Sequence, residues 1–118
     1  MILVVDHDPE VLEKAGKILN RDRQVFLADT DKKALDILRR LEGFSVVLVD
    51  LDLPGDPYAL IQKLHDLDPE LLIVATYGAV KSALRDATKV PGVVAVLKKP
   101  VTSEWKPVVE RLRAEHHS

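Results

Sequence analysis

Charged side chains follow three apolar runs of this sequence, where the ends of three strands could bring them together. Asp6 follows the first run, Asp50 ends the third, and Lys99 follows the fifth. Carboxylates packed together repel one another, and a hard divalent cation such as Mg²⁺ relieves that repulsion because it prefers oxygen ligands. A lysine opposite them can hold a phosphoryl oxygen as a point charge. These three residues are therefore the first candidates for a functional site.

Further polar residues adjoin these candidates, and each has an ordinary structural interpretation. Asp8 stands before Pro9 and is typical of a helix N-cap. His7 alone is more typical of an exposed loop residue than of a ligand, and Asp52 is typical of a turn. The functional hypothesis therefore depends on the combination of strand ends, and not on any one of these residues.

Five apolar runs alternate with segments of helical periodicity along the chain. Such alternation predicts an α/β fold, with one doubly wound parallel sheet, right-handed crossovers and helices on both faces. The continuously apolar run 46–49 suits a central strand that is covered on both faces. A flavodoxin-like strand order, 2-1-3-4-5, would bring the ends of strands one, three and five to one crevice. The predicted strands cover 2–5, 24–28, 46–49, 71–75 and 93–97.

Five helices are predicted from their caps and from the spacing of their apolar residues. Asp8-Pro9 and Asp56-Pro57 place an aspartate cap before a proline, the segment 29–31 offers another cap, and Ser103 is predicted to cap the last helix. The apolar positions expected to face the core are Val11, Leu12, Ala15, Ile18 and Leu19, then Ala34, Leu35, Leu38 and Leu41, then Leu60, Ile61, Leu64 and Leu67, then Val80, Ala83, Leu84 and Ala87, and finally Trp105, Val108, Val109 and Leu112.

Length and composition predict one compact domain over residues 1–118, which is long enough to bury a core. The formal net charge of -2 does not suggest direct binding to nucleic acid. Without cysteine, the chain can form neither disulfides nor a thiolate metal site. The sequence shows no signal peptide and no apolar segment long enough to cross a membrane, so we expect a cytoplasmic protein with no membrane contact.

Three motifs together give the chain a resemblance to a known family. They read ILVVDHDPEVLE at the start, VVLVDLDLPG in the middle and LKKPVTSE near the end. In this order and spacing the chain resembles a response-regulator receiver domain of two-component signalling. The resemblance implies a phosphorelay module and not an enzyme. It also implies a sensor histidine kinase or phosphotransfer protein as the phosphoryl donor, and an output domain or a homodimer partner as the receiver of the signal.

The resemblance also assigns roles to individual residues. Asp50 matches the phosphoacceptor, and Lys99 matches the lysine that contacts the phosphoryl group. Asp6, Asp50 and the backbone carbonyl of Asp52 match the ligands of Mg²⁺. Phosphorylation in this family acts on the surface formed by the fourth helix, the fifth strand and the fifth helix.

The sequence departs from the family pattern at three positions. His7 stands at the second acidic position, and because imidazole is a poor Mg²⁺ ligand we expect weak Mg²⁺ binding there; the neighbouring Asp8 is expected to act as the helix cap. Ala75 aligns best with the switch serine or threonine at the end of strand four, with Thr76 next to it. Val96 aligns with the switch aromatic residue of strand five.

Three alternative functions remain open on the sequence alone. The departures at His7, Ala75 and Val96 favour a pseudo-receiver that acts as a protein-interaction module without phosphorylation. The Asp50-Leu51-Asp52 sequence also resembles the nucleophile motif of haloacid-dehalogenase-type phosphatases. That motif usually lies on the first strand of a longer chain, however. A flavodoxin is disfavoured because Asp6-His7-Asp8 would repel the cofactor's phosphate.

Overall fold

A five-stranded parallel sheet forms the centre of the computed structural model, which describes residues 1–19, 24–78 and 89–116. All four pairings between neighbouring strands are parallel. The strand order is β2-β1-β3-β4-β5, which confirms the predicted doubly wound, flavodoxin-like fold. The strands are β1 (Ile2–Val5), β2 (Val25–Ala28), β3 (Val46–Asp50), β4 (Leu72–Tyr77) and β5 (Val93–Lys98).

Four helices are present in the described part of the chain. The helix predicted over 80–87 lies outside the described residues, so the fifth predicted helix is α4 below. Within the described ranges, none of the helices is long and apolar enough to span a membrane. The helices are α1 (Pro9–Leu19), α2 (Asp31–Arg40), α3 (Pro57–Leu67) and α4 (Trp105–His116).

Side chains at the helix starts satisfy backbone N–H groups that have no partner inside the helix. Thr30 Oγ1 accepts a hydrogen bond from the backbone of Lys33 at 3.1 Å, and Asp56 Oδ1 accepts one from Ala59 at 3.1 Å. These two contacts confirm the caps predicted in the segment 29–31 and at Asp56. The capping position predicted at Ser103 is one residue too early, because α4 begins at Trp105.

Alternate residues of the central strands pack on opposite faces of the sheet and form two apolar layers. On one face, residues of β1, β3 and β4 pack against α2 and α3: Leu3, Val5, Val47, Val49, Ile73 and Ala75 with Ala34, Leu35, Leu60, Ile61 and Leu64. On the other face, the intervening residues pack against α1 and α4: Ile2, Val4, Val46, Leu48 and Val74 with Ala15, Leu19, Trp105, Val109 and Leu112.

Two leucines that helical spacing assigned to the core are exposed. Leu41 is 38% exposed because α2 ends at Arg40, earlier than the end predicted near Gly43. Leu67 is the last residue of α3 and is 50% exposed. The apolar spacing therefore overestimated burial at the C-terminal ends of α2 and α3.

Candidate functional site

Parallel strands end at one edge of the sheet, and this edge brings the candidate residues together. Asp6 directly follows β1, Asp50 is the last residue of the neighbouring β3, and Lys99 directly follows β5. The backbone N–H of Lys99 donates to the carbonyl of Tyr77 at 2.7 Å, so the chain after β5 stays attached to β4. Asp6, His7, Asp50 and Lys99 form what we call the acceptor cluster.

The Lys99 ammonium group lies between the two buried carboxylates of the acceptor cluster. Its Nζ atom is 2.8 Å from Asp50 Oδ1 and 3.2 Å from Asp6 Oδ2. The side chains of Asp50 and Asp6 are 0% and 1% exposed, and that of Lys99 is 12% exposed. Since a buried charge needs a partner, this lysine compensates part of the charge of both carboxylates.

Two further groups donate to or contact the carboxylate of Asp50. The backbone N–H of Asp52 donates to Oδ1 at 2.8 Å. His7 Nδ1 lies 2.7 Å from Oδ2, although the His7 side chain is 44% exposed. The histidine therefore contacts the predicted acceptor directly, which its interpretation as a simple loop residue did not anticipate.

The two aspartates respond to this environment in opposite directions. Burial acts to raise the pKa of Asp50, but hydrogen bonds from Lys99, from the Asp52 backbone and from His7 outweigh it and hold the pKa below its ordinary value. Burial raises the pKa of Asp6, and repulsion from Asp50 adds to that effect. Burial acts to lower the pKa of Lys99, but attraction to Asp50 and Asp6 outweighs it and raises the pKa. The environment thus favours the ionised form of Asp50 more strongly than that of Asp6.

Asp8 and Asp52 make contacts that organise the loops around the cluster. The Asp8 backbone N–H donates to Asp6 Oδ1 at 2.9 Å, and Asp8 Oδ1 accepts from the backbone of Glu10 at 2.9 Å. Asp8 therefore caps α1, as predicted. Asp52 Oδ2 accepts from the backbone N–H of Gly78 at 3.0 Å and lies 3.7 Å from Lys99 Nζ.

Gly78 is a site residue that the sequence analysis did not identify. A Cβ atom at this position would lie 3.1 Å from Asp52 Oδ2, so a side chain would crowd the contact between the two loops. Its position shortly after the fourth apolar run was the available signal, because a glycine there permits close approach of the backbone.

Asp6, His7 and Asp50 form the group that could hold a metal ion. One ligand atom from each lies within 4.8 Å of the others. The two carboxylates suit Mg²⁺, which prefers oxygen ligands, but the imidazole nitrogen does not. As a three-residue set, the group does not fit Mg²⁺.

The register of β3 and β4 decides which residue neighbours the end of β3. Thr76 pairs with Asp50, whereas Ala75 pairs with Val49. Thr76 is 3% exposed, and Ala75 belongs to the apolar core under α2 and α3. The predicted end of strand four at residue 75 is therefore wrong, because β4 continues to Tyr77, and the register places Thr76 and not Ala75 beside Asp50. Val96 of β5 pairs with Ala75, as part of the same layer.

Comparison with known proteins agrees with this geometry. The family model of the response regulator receiver domain matches residues 2–106. The chain belongs to this family. A comparison with curated proteins finds no match.

Several solved structures superpose on nearly the whole chain. A CheY-like response regulator receiver domain protein from Methanospirillum hungatei JF-1 is 27% identical, with a TM-score of 0.84, over 98% of this chain and 94% of that chain. An adenylate cyclase from Rhodopirellula baltica is 25% identical, with a TM-score of 0.87, over 98% of this chain and 87% of that chain. NtrX from Brucella abortus is 25% identical, with a TM-score of 0.83, and this chain covers 27% of its length.

Family membership makes this chain a receiver domain of two-component signalling. Receiver domains are signalling modules that bind Mg²⁺ at an acidic pocket and interact with histidine kinases and output domains. In this receiver domain, Asp6, His7 and Asp50 form a group that could bind a metal ion.

Proposed function

We propose that this receiver domain, extending over residues 1–118, accepts a phosphoryl group on Asp50 from a phosphohistidine of a sensor histidine kinase or a phosphotransfer protein. The observation that carries the proposal is a buried carboxylate at the end of β3 whose Oδ1 lies 2.8 Å from the Lys99 ammonium group. An ionised carboxylate is a competent nucleophile, and its lowered pKa means that no base is needed to deprotonate it.

In the proposed transfer, Asp50 Oδ1 forms a bond to phosphorus while the bond from phosphorus to the donor's imidazole nitrogen breaks. The imidazole leaves with the electron pair of that bond. Lys99 already lies beside Oδ1 and contacts the oxygens of the transferred group, where it offsets their negative charge. The product is an acyl phosphate on Asp50.

A divalent cation bound by Asp6, Asp50 and the Asp52 carbonyl would supply further charge neutralisation, as the family resemblance implies. Because His7 replaces an oxygen ligand, we expect Mg²⁺ to bind weakly and phosphoryl uptake with Mg²⁺ to be slow. The modified domain would signal to an output domain or a homodimer partner through the surface that the family resemblance implies, of which the structure describes β5 and α4.

Asp50→Asn abolishes phosphoryl uptake under this proposal, because the amide is not a nucleophile of comparable strength. Wild type, incubated with acetyl phosphate and Mg²⁺, gains one phosphoryl mass by intact-mass spectrometry. Asp66→Asn is a matched control, since Asp66 is an exposed residue of α3, and it should gain the same mass at the same rate as wild type. Equal uptake by the Asp50 variant would reject Asp50 as the acceptor.

A second candidate function, a pseudo-receiver that binds partners without phosphorylation, is favoured by the contacts of Asp50. Both oxygens of its carboxylate are engaged inside the protein, Oδ1 by Lys99 and the Asp52 backbone, and Oδ2 by His7. A phosphoryl donor has to compete with these contacts. This function replaces the first if wild type gains no phosphoryl mass after prolonged exposure to acetyl phosphate with Mg²⁺ and with Mn²⁺.

A further inference from the structure

The acceptor cluster is divided into two sides by its contacts. Lys99 contacts Asp50 Oδ1 and Asp6 Oδ2, whereas His7 Nδ1 faces the other oxygen of each carboxylate. On the His7 side, Nδ1 lies 2.7 Å from Asp50 Oδ2 and 3.7 Å from Asp6 Oδ1. One side of the cluster thus holds a cation supplied by the protein, and the other side presents two oxygens and one nitrogen.

We infer that the His7 side binds a transition-metal dication such as Zn²⁺, Ni²⁺ or Cu²⁺ in preference to Mg²⁺, with His7 Nδ1, Asp50 Oδ2 and Asp6 Oδ1 as its ligands. This inference deepens the proposed function, because the ion would lie against the proposed phosphoacceptor. It changes the expected cofactor from a hard cation to one that accepts a nitrogen ligand.

The spacing of the three atoms suits an ion of this class. Bonds of about 2.0 to 2.2 Å to nitrogen and oxygen place neighbouring ligand atoms about 3 to 3.5 Å apart. His7 Nδ1 lies 2.7 Å from Asp50 Oδ2 and 3.7 Å from Asp6 Oδ1, on either side of that range, so shifts of a few tenths of an ångström would suffice at these two contacts. The lysine does not have to move, because it contacts the opposite oxygens.

Donor chemistry selects among divalent ions at this side. Mg²⁺ demands oxygen ligands and gives up its water reluctantly. Imidazole suits zinc, copper, iron and nickel, and Zn²⁺ binds histidine nitrogen as well as the oxygens of Asp and Glu. The His7 side chain is 44% exposed, so an ion can reach the site and water can complete its coordination.

The charge of the cluster also favours a dication. The carboxylates of Asp50, Asp6 and Asp52 all lie within 3.7 Å of Lys99 Nζ, so this one lysine leaves two formal negative charges without compensation. A dication with neutral histidine as third ligand supplies the missing positive charge on the side that Lys99 does not contact. The contact between His7 and Asp50 occupies that side in the absence of an ion.

The test measures metal binding directly and uses no phosphoryl donor. All proteins carry His116→Gln and His117→Gln, because two successive histidines could bind transition metals themselves. Calorimetry gives the affinities for Zn²⁺ and Mg²⁺, and ¹⁵N NMR of the histidine ring nitrogens reports coordination. We expect Zn²⁺ to shift the Nδ1 signal of His7, and His7→Gln to weaken Zn²⁺ binding by about tenfold or more.

Two variants make the test specific. His7→Asp should raise Mg²⁺ affinity and lower the ratio of Zn²⁺ to Mg²⁺ affinity by at least about tenfold, because it exchanges the nitrogen ligand for an anionic oxygen. His65→Gln is the matched histidine control. His65 lies on α3 beside Gly92, away from the acceptor cluster, so this variant should bind both ions as the parent does.

The inference is overturned if the His7→Gln variant binds Zn²⁺ within about twofold of the parent, or if Zn²⁺ leaves the His7 Nδ1 signal unchanged. These results are separable from the fate of the proposed function. Uptake of phosphate with Mg²⁺ and no dependence of Zn²⁺ binding on His7 would reject only the metal preference. Zn²⁺ binding through His7 without phosphoryl uptake in any ion would reject only the phosphoacceptor role.

Discussion

The acceptor cluster and the ends of β4 and β5 share the carboxyl edge of one sheet but differ in what holds them. We call Ala75, Thr76 and Val96 the relay end. In the acceptor cluster, polar side chains contact one another at 2.7 to 3.2 Å, and all of them except His7 are buried or nearly buried. At the relay end, Ala75 and Val96 pack within an apolar layer, and Thr76 is the buried residue opposite Asp50.

This difference shows which substitutions each region tolerates. Removing a charge from the acceptor cluster leaves another buried charge without its partner, which is costly. Changing an apolar residue at the relay end alters packing by a methyl group or two. Function in the acceptor cluster is therefore tied to residue type, whereas at the relay end it depends on which residue the sheet register places beside Asp50.

Lys99→Met should have the largest effect, because it leaves the carboxylates of Asp50 and Asp6 without their shared cation. We expect a loss of about 3 kcal/mol in the free energy of unfolding. Lys98→Met is the matched control, since Lys98 is exposed, and it should change stability by less than about 0.5 kcal/mol. Denaturant unfolding of both variants measures this; equal stability of the two would show that Lys99 does not compensate the buried charges.

Phosphorylation should change the affinity of this domain for its partner, or for a second copy of itself, only moderately. Val96 has no ring to reorient, and a ligand shifts an equilibrium only by its differential interaction with two states. We expect beryllofluoride, a phosphoryl mimic, to change partner or self-association affinity by less than about tenfold, or roughly 1.4 kcal/mol.

Thr76→Val sharpens this prediction, because it removes the hydroxyl and keeps the shape of the side chain. If Thr76 transmits the signal, the beryllofluoride response should disappear in this variant and remain in Ala75→Ser. A response much larger than tenfold in wild type would contradict the moderate coupling, and would assign the switch roles to Thr76 and Tyr77.

Val96→Ala should have the smallest effect. Val96 is only partly buried at the edge strand β5, so losing two methyl groups should cost about 1 kcal/mol or less. Phosphoryl uptake at Asp50 should be unchanged. A loss of uptake in this variant would show that the relay end and the acceptor cluster are not separate in the way their contacts suggest.

The sequence was a good guide to the acceptor cluster because strand ends carry a strong signal. Continuous apolar runs located β1 and β3, and the alternation of strands and helices predicted the order that brings Asp6, Asp50 and Lys99 together. These three side chains lie close together because the strands that carry them end at the same edge of the sheet.

The same approach was less accurate where one residue of register matters. Thr76 and Tyr77 extend β4, but a polar residue after an apolar run looks like the start of a loop. The contact of His7 with Asp50 depends on the backbone path after β1, which no spacing pattern encodes. Leu41 and Leu67 have core-like spacing but lie where their helices end.

The most direct test of the account is chemical trapping of the phosphoryl group after incubation with acetyl phosphate. Borohydride reduces an acyl phosphate to an alcohol, which marks the modified aspartate, and peptide mass mapping then locates it. The account predicts the mark at Asp50 in wild type and in Asp66→Asn, and no mark in Asp50→Asn. A mark at Asp6 or Asp52, or no mark with any divalent ion, would contradict it.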